Sequence, residues 1–460
     1  MLKTNTRRLL TFAIWILFSI SSLSWWKKLS VLTPEDNPIW WPSESAAFLP
    51  GSWIFFAIVA AGLSVLYILE LIDNKPAKLK QILLWVLIFG LGAIFVYPLG
   101  SKDIFYYISF ARLHAFYSLD PHIYAVSNLT YYISDPFLKN TYNTTIVSSY
   151  GPLWTWLSYC LYYFTAGFGL IPFVISFKVL GLIVHLLITV MVFKVAEVLS
   201  EGSGSRAAII YGLNPLAIFE LAANAHNDGS AILLLLISLF LVLQKLSMNG
   251  LMALGAAVSF KFTAMLTVPF FILHAVRERG PFYAGLGAVL VTLIPALFYI
   301  LANVNMSGVI HLSTGGILNF SFTSLAYALA GEKIVPYAHS IGLIVFVLWY
   351  YILLRKLCMG NNETLNITIG IGIIAYLLFG AFMVHRWYYL WPLAIMVTSP
   401  SNPWTKAVTA QTIVLLPCYT LTLAFGEVNV DKSITYVLSL LPVLVIGLMQ
   451  CRHRYTMRDT

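Results

Sequence analysis

Apolar stretches of about 20 residues recur along most of this chain, and each is long enough to cross the roughly 30 Å hydrocarbon core of a bilayer. Hydrophobic residues make up 60% of the 460 residues and charged residues only 10%. A soluble domain has roughly 45–50% apolar and about 25% charged residues. The alternating segments of about ten residues that build an outer-membrane barrel are absent from the sequence. The sequence therefore predicts an all-α, polytopic helical membrane protein.

The positive charges indicate how the chain is threaded through the membrane. They cluster at the ends of alternate apolar runs, as expected for cytoplasmic ends, and this accounts for the net charge of +9 without a nucleic-acid partner. The first run, 9–26, follows Arg7 and Arg8 and lacks the cleavage site of a signal peptide, so we interpret it as a retained first span. Both termini are then predicted to be cytoplasmic.

This threading gives about twelve spans of roughly the length that a bilayer requires. The predicted spans are about 9–26, 52–72, 82–99, 170–195, 206–223, 229–245, 281–302, 336–355, 366–383, 386–400, 406–425 and 433–450. The segment 249–276, which contains Lys261 and Pro269, is predicted to form two re-entrant half-helices, and the first large outer loop is predicted to contain short interfacial helices. We treat 1–460 as one transmembrane domain. It comprises an outer loop at about 100–150, a core at about 82–302 and more variable C-terminal helices at about 336–450.

Asp103 is the first candidate for chemistry in this scheme. It follows the third span in the stretch "YPLGSKDIFYY", where a carboxylate lies at the predicted outer membrane boundary. Tyr106 and Tyr107 lie three and four residues further on, on the same face if the segment is helical. The structural alternative is that Asp103 caps a short interfacial helix.

Other polar and ionisable side chains are predicted at the same outer level. Each has a structural alternative, such as a turn, a helix cap, a snorkelling lysine or an interfacial anchor. An ionisable group near the centre of a span costs at least ~2.5–3.5 kcal/mol, so those that are retained usually face a cavity or a partner. Independent caps have no reason to collect on one side, so we expect these residues to share a cavity: Asp120, His226, Asp228, Lys261, His385 and Arg386.

The order of these segments resembles the GT-C superfamily of membrane glycosyltransferases, and most closely the polyprenyl-phosphate-mannose-dependent α-mannosyltransferases. The shared features are an acidic residue after an early span, a Pro…Tyr loop, "YGP" opening a helix, "LNPLAIFELAANAHNDGS", and a Gly-rich helix ending at a lysine. A weaker likeness lies at "HRWYYLWPL". The loop departs from the family's compact Asn-Pro-Tyr, because His122 and Ile123 separate Pro121 from Tyr124.

The resemblance implies an inverting glycosyltransferase. It would move a hexose, expected to be mannose, from a polyprenyl-phosphate donor to a hydroxyl of a glycolipid or glycan acceptor at the periplasmic, extracellular or lumenal face. Asp103 matches the family's catalytic carboxylate and is expected to act as general base. Lys261, Arg386 and His385 are expected to stabilise the donor phosphate. The remaining expected substrate-binding residues are Tyr106, Tyr107, Asp120, Tyr124, Tyr150, His226 and Asp228.

No cofactor is expected beyond the lipid-linked sugar phosphate, which is itself the donor substrate. The third span is not followed by an Asp-x-Asp pair, so we predict no metal requirement. The four cysteines lie far apart and form neither a metal-binding spacing nor a disulfide framework.

Two other functions fit a polytopic chain. A secondary transporter would show inverted halves and ionisable groups at mid-bilayer. A polymerase or ligase of lipid-linked glycans would be expected to have a large outer loop late in the chain, whereas here the longest predicted outer loop lies in the first third. Neither pattern is visible, so glycosyl transfer is favoured.

Overall fold

The computed structural model describes residues 3–31, 52–73, 75–141, 144–301, 322–359, 365–381, 384–425 and 436–456. Over these residues the regular structure consists of helices alone, as predicted. The loop predicted outside at 32–51 and most of the one predicted at 303–335 lie outside the described residues.

The helices follow one another along the chain with short connections. The first nine are α1 Thr4–Val31, α2 Ser52–Asp73, α3 Leu79–Ile94, α4 Asp103–Tyr117, α5 Pro152–Thr165, α6 Leu170–Leu199, α7 Gly204–Gly212, α8 Pro215–Ile218 and α9 Asp228–Leu243. The next nine described helices are α10 Ser247–Phe260, α11 Val268–Arg279, α12 Pro281–Leu301, α13 Phe322–Ala330, α14 Val335–Met359, α15 Leu365–Ala375, α16 Leu390–Met396, α17 Pro403–Phe425 and α18 Leu441–Thr456. Shorter 3-10 and π segments include Phe219–Ala223, Phe262–Thr267, Tyr376–Gly380 and Arg386–Tyr389.

Five helices in the described part are long and apolar enough to cross a membrane, namely α1, α2, α6, α12 and α14. A sixth span results if α7 and the segment Pro215–Ala223 are counted as one helix bent by 55°. Shorter apolar helices include α3, α9 and α10. The chain is therefore a membrane protein by helix length and composition, and the total of about twelve spans stays a prediction.

The bend between α7 and α8 has a local cause. Pro215 cannot donate a backbone hydrogen bond to the preceding turn, so the helix stops and restarts there. Asn214 caps the new start, because its side-chain oxygen accepts the N–H groups of Leu216 and Ala217 at 3.0 and 3.2 Å. Its amide nitrogen also donates to Thr412 in α17 at 2.8 Å. The predicted single span at 206–223 is thus a broken helix anchored to a distant part of the chain.

Two other predicted segments also contain breaks. The division of 249–276 into two helices is present and falls at Lys261, since this residue is extended (φ −151°, ψ 121°) between α10 and a 3-10 turn. The segment predicted as a span at 386–400 is instead a 3-10 turn followed by α16, which has only 7 residues. Pro392 lies near the start of α16, where proline is tolerated because the N–H group of this position has no helical partner.

The arginines of α1 and the carboxylate Asp103 lie at opposite ends of the first helices. Arg8 pairs with Glu70 near the end of α2. At the other end of α1, the indole N–H of Trp26 donates to the carbonyl of Phe95 at 2.7 Å, just beyond the end of α3. Because Asp103 follows α3, it lies at the end of the bundle away from the arginine cluster, as the threading predicts.

Close backbone approach places the segment 219–225 against α6. A Cβ atom added to Gly181 of α6 would collide with the backbone carbonyl oxygen of Leu221. A Cβ atom added to Gly100 would collide with the side chain of Asn224. Glycine at these two positions therefore lets α6 and the turn after α3 lie directly against the broken helix.

Gly181→Ala is expected to lower the free energy of unfolding by about 1–3 kcal/mol, because α6 must move away from a backbone carbonyl that cannot give way. The measurement is the thermal unfolding midpoint of the detergent-solubilised protein. Gly285→Ala in α12 is the matched control, since a Cβ there meets nothing within 4 Å. The control should be neutral or slightly stabilising, because alanine is the better helix former. Equal midpoints for the two variants would contradict the close packing.

Candidate active site

Asp103 is the first residue of α4, and hydrogen bonds at and just before it fix its position. Before it, the N–H of Gly100 donates to the side-chain oxygen of Asn224 at 3.1 Å. Its own N–H donates to Ser101 Oγ at 3.1 Å. A carboxylate at a helix N-terminus is favoured by the helix dipole, so the capping alternative describes part of its environment. However, the side chain is 25% exposed and lies next to His226, which a cap alone does not explain.

His226 lies between two carboxylates. Its Nδ1 atom is 3.6 Å from Asp103 Oδ2, and its Nε2 atom is 3.3 Å from Glu220 Oε2. The side chains of His226 and Glu220 are fully buried. Glu220 also accepts hydrogen bonds from the hydroxyl of Tyr419 at 2.6 Å and from the amide of Asn224 at 2.8 Å. The partly exposed acid is thus backed by a buried imidazole and a second buried acid.

Two further rings extend this arrangement into the C-terminal part of the chain. The ring of Trp387 stacks on His226 with centroids 3.9 Å apart and an interplanar angle of 21°. The ring of His385 also stacks on Trp387, with centroids 4.2 Å apart and an interplanar angle of 3°. The stack fixes the plane of the His226 imidazole, so each of its two nitrogens stays close to one carboxylate.

The electrostatics of the three ionisable groups differ because their neighbours differ. Burial raises the pKa of Asp103, but the neighbouring imidazole of His226, with help from His385 and Lys261, outweighs it and leaves this pKa below its usual value. Burial lowers the pKa of His226, but Asp103 and Glu220 outweigh it and raise this pKa to about 9. Burial lowers the pKa of His385 to about 4. At neutral pH Asp103 is therefore ionised, His226 is an imidazolium, and His385 is neutral.

Lys261 forms a second ion pair of the same kind. Its ammonium group donates to Asp228 Oδ2 at 2.6 Å, and the lysine is 17% exposed whereas the aspartate is fully buried. The other oxygen of Asp228 accepts the indole N–H of Trp391 at 2.7 Å. The ammonium also lies 4.9 Å from the centroid of the Tyr388 ring. Each partly exposed charge, one negative and one positive, is thus held by a buried partner of opposite sign.

The "YGP" segment lies against the end of α10, directly before Lys261. The N–H of Gly151 donates to the carbonyl of Phe260 at 3.2 Å. A Cβ atom at Gly151 would collide with the carbonyl oxygens of Ser259 and Phe260. This close approach places Tyr150, which precedes Gly151, next to the end of α10.

Tyr107 joins the parts of the site. Its buried ring lies 4.9 Å from the ring of Tyr150 and 4.8 Å from that of Trp154. Its hydroxyl oxygen accepts the backbone N–H of Asn227 at 3.3 Å. Tyr106 lies beside it on α4 and stacks on Phe110. The predicted proximity of Asp103, Tyr107, Tyr150, His226, Asp228 and Lys261 is therefore present in the structure.

Three predicted site residues lie elsewhere or behind the site. Asp120 bonds locally, since its Oδ1 atom accepts the backbone N–H of His122 at 2.8 Å and lies 3.0 Å from the ring nitrogen of the same residue. Tyr124 is exposed on the outer segment. Arg386 is buried, with its guanidinium 4.4 Å from the centroid of the Tyr419 ring and an N–H donated to the carbonyl of Cys418. It lies behind Glu220 rather than at the open surface, and the binding roles of all three residues stay predictions.

The sequence patterns did not predict three residues of the site, namely Glu220, Trp387 and Trp391. Glu220 had a usable signal, because it is the one carboxylate inside the predicted apolar span 206–223. An ionisable residue inside a span indicates a functional site by default. The two tryptophans had none, since aromatic residues beside a membrane boundary are common anchors.

The described residues contain no group of three or more His, Cys, Asp or Glu side chains that could hold a metal ion. The absence of a metal requirement stays a prediction. The site described above consists of ion pairs and aromatic rings, and it can accept a proton at Asp103 and receive an anion at Lys261.

One family model matches the chain. It is described as "Alpha-(1->6)-mannopyranosyltransferase, N-terminal domain" and covers residues 10–277, more than half of the chain. A search of curated proteins finds no match. The matched region includes Asp103, Glu220, His226 and Lys261, whereas His385, Trp387 and Trp391 lie beyond it.

Proposed function

Since the chain belongs to the alpha-(1->6)-mannopyranosyltransferase family, a GT-C-type family of polyprenyl-phosphate-mannose mannosyltransferases, we propose that it transfers mannose from a polyprenyl-phosphate carrier to a glycan or glycolipid hydroxyl. The observation that carries this proposal is that Asp103 and Lys261 belong to one site, where the charge of Lys261 acts on the Asp103 carboxylate. A proton acceptor and an anion-binding cation are both partly exposed there, and each is held by a buried counter-charge.

In the proposed reaction the acceptor oxygen attacks the anomeric carbon of mannose while its proton passes to the Asp103 carboxylate. The new C–O bond forms as the bond between the anomeric carbon and the phosphate oxygen breaks, and the carrier phosphate leaves with that electron pair. A single displacement of this kind inverts the anomeric centre. The low pKa of Asp103 keeps its carboxylate ionised at neutral pH, as a proton acceptor must be.

The leaving phosphate gains negative charge as the bond breaks, and no general acid is required for it. Lys261 is the proposed partner, because its ammonium group is partly exposed and oriented by Asp228. Charged hydrogen bonds of this type are roughly twice as strong as neutral ones. His385, neutral at neutral pH, is proposed to donate a hydrogen bond, and buried Arg386 to add positive potential from behind.

The rims of the site are aromatic. Tyr106, Tyr150 and Tyr388 are half-buried around the ion pairs, and sugar rings pack well on such faces. Tyr107, His226 and Asp228 are buried and are proposed to hold the site together rather than to contact the sugar over a large area.

We place the site on the non-cytoplasmic side, with about twelve spans and both termini cytoplasmic. The support is that the arginine cluster at Arg7 and Arg8 lies at the opposite end of α1 from the site, and clustered arginines favour the cytoplasmic side. A carrier bearing a prenyl tail would lie in the bilayer and present its phosphate at this boundary.

The test uses purified protein in detergent or proteoliposomes, a mannoside acceptor, and radiolabelled donors of two classes. We expect label from polyprenyl-phosphate mannose to appear in the acceptor and label from a nucleotide sugar not to. NMR of the product then reports the anomeric configuration and whether the linkage is α-(1→6). Consumption of the nucleotide sugar alone would refute the proposed donor.

A further inference from the structure

Glu220 has no part in the proposed chemistry, yet specific contacts hold its carboxylate in place. Its carboxylate is fully buried and accepts hydrogen bonds from Tyr419 and Asn224. Its remaining close neighbour is His226 Nε2 at 3.3 Å. A buried carboxylate is costly unless it is paired and hydrogen-bonded, so a role for its charge is expected.

The backbone around Glu220 is shaped to direct it at His226. Phe219–Ala223 is a π-helical turn, and Ala225 takes the left-handed conformation with φ +58°. Non-glycine residues rarely adopt this conformation, and π turns are frequent at functional sites. The chain thereby folds back so that the N–H of His226 donates to the Glu220 carbonyl at 3.0 Å. The two side chains meet because of this irregular turn.

We propose that Glu220 is a positioning residue that acts through His226. It keeps the imidazole protonated and fixed in orientation behind the Asp103 carboxylate. This inference rests on the proposed function, because it assigns Glu220 to the same transfer reaction.

The imidazolium has two consequences at the site. It attracts the Oδ2 atom of the Asp103 carboxylate, which lies 3.6 Å from Nδ1, and so leaves the other oxygen for the acceptor. It also offsets the negative charge of Asp103, which would otherwise repel the phosphate of the donor, since like charges at short range oppose each other strongly in a partly buried site. Without the imidazolium, both the orientation and the charge balance are lost.

The protonation of His226 depends on the charges around it. Asp103 at the start of α4 and Glu220 act on it directly. His385 of the ring stack also interacts with it, and Lys261 and Arg386 act on His385. Asp228, two residues further on, is paired with Lys261. The two carboxylates raise the His226 pKa to about 9 against the opposing effect of burial. Removing the charge of Glu220 leaves only Asp103 to oppose burial, so the pKa falls. As the pH rises, activity that requires the imidazolium is therefore lost at a lower pH than in the wild type.

The experiment measures kcat/KM for transfer from polyprenyl-phosphate mannose across the neutral and alkaline range. In the wild type, the alkaline decline should follow the His226 pKa of about 9. In Glu220→Gln the decline is expected at least about one pH unit lower, together with a lower rate at neutral pH. Glu220→Asp keeps the charge and should keep the wild-type position of the decline, even where its rate falls.

A decline at the same pH in Glu220→Gln and the wild type would overturn the inference. If Glu220→Gln does not accumulate in membranes, His226→Gln tests the same point, because it should abolish the alkaline decline and leave a low, pH-independent rate. A decline that persists in His226→Gln at the same pH as in the wild type would also overturn it. Transfer by the wild type establishes the proposed function independently of these results.

Discussion

Asp103→Asn is expected to lower the rate of mannose transfer by roughly 10²–10⁴-fold, the range typical of a lost general base. An asparagine amide fills the same space but cannot take the acceptor proton. It also removes one of the two negative charges beside His226, whose Nδ1 atom lies 3.6 Å from the carboxylate. Transfer is measured with the radiolabelled carrier, and detergent-solubilised protein is checked for a wild-type elution profile.

Asp120→Asn is the matched control, because it makes the same chemical change in the same outer segment. The Asp120 oxygen accepts a backbone N–H within its own turn, and an asparagine oxygen can do the same. Because the structure shows Asp120 bonded within its own turn, this variant is expected to lose less than about threefold, as surface substitutions outside critical networks usually do. A loss of that size would also remove Asp120 from the predicted substrate-binding residues. A near-normal rate in Asp103→Asn would place the base on another residue.

Lys261→Met is expected to reduce kcat/KM for the lipid-linked donor by roughly 10²–10³-fold, as does removal of one preorganised electrostatic donor. Methionine retains the length of the side chain but lacks the positive charge that we propose stabilises the leaving phosphate. The lost ammonium also leaves the fully buried Asp228 without its ion-pair partner. Removing one partner of a buried pair costs about 3–5 kcal/mol, so the single variant is expected to be less stable as well.

A second variant separates these two effects. Lys261→Met combined with Asp228→Asn removes both charges, so it should recover much of the unfolding midpoint but none of the transfer rate. Lys245→Met is the charge-matched control on an exposed lysine far from the site, and its rate is expected to change less than about twofold. A double variant that recovers activity together with stability would remove Lys261 from the donor site.

The helical class and the meeting of distant polar residues could be predicted from the sequence. Apolar run length determines the class, and the cost of burying charge in lipid determines that Asp103, His226, Asp228 and Lys261 need partners. The pairing itself was not predictable. Nothing in the sequence shows that Lys261 would pair with Asp228 rather than with a carboxylate of the first outer loop.

The remaining differences arise from tertiary contacts. Arg386 adjoins His385 in sequence, but the 3-10 turn Arg386–Tyr389 sends their side chains in different directions, one over Tyr419 and the other onto Trp387. The bend at Asn214 depends on a hydrogen bond to Thr412 that no local pattern reveals. Helix periodicity gives the face of a residue within its own helix and not the neighbour it will meet.

The stack of three rings couples catalysis to the order of synthesis. The ribosome makes residue 226 long before residues 385 and 387, whose rings close over it. Until that late part of the polypeptide has been inserted, the imidazole has no ring to fix its plane. A product that ends before residue 385 would lack this stack, so we expect it to transfer sugar more slowly than the full chain.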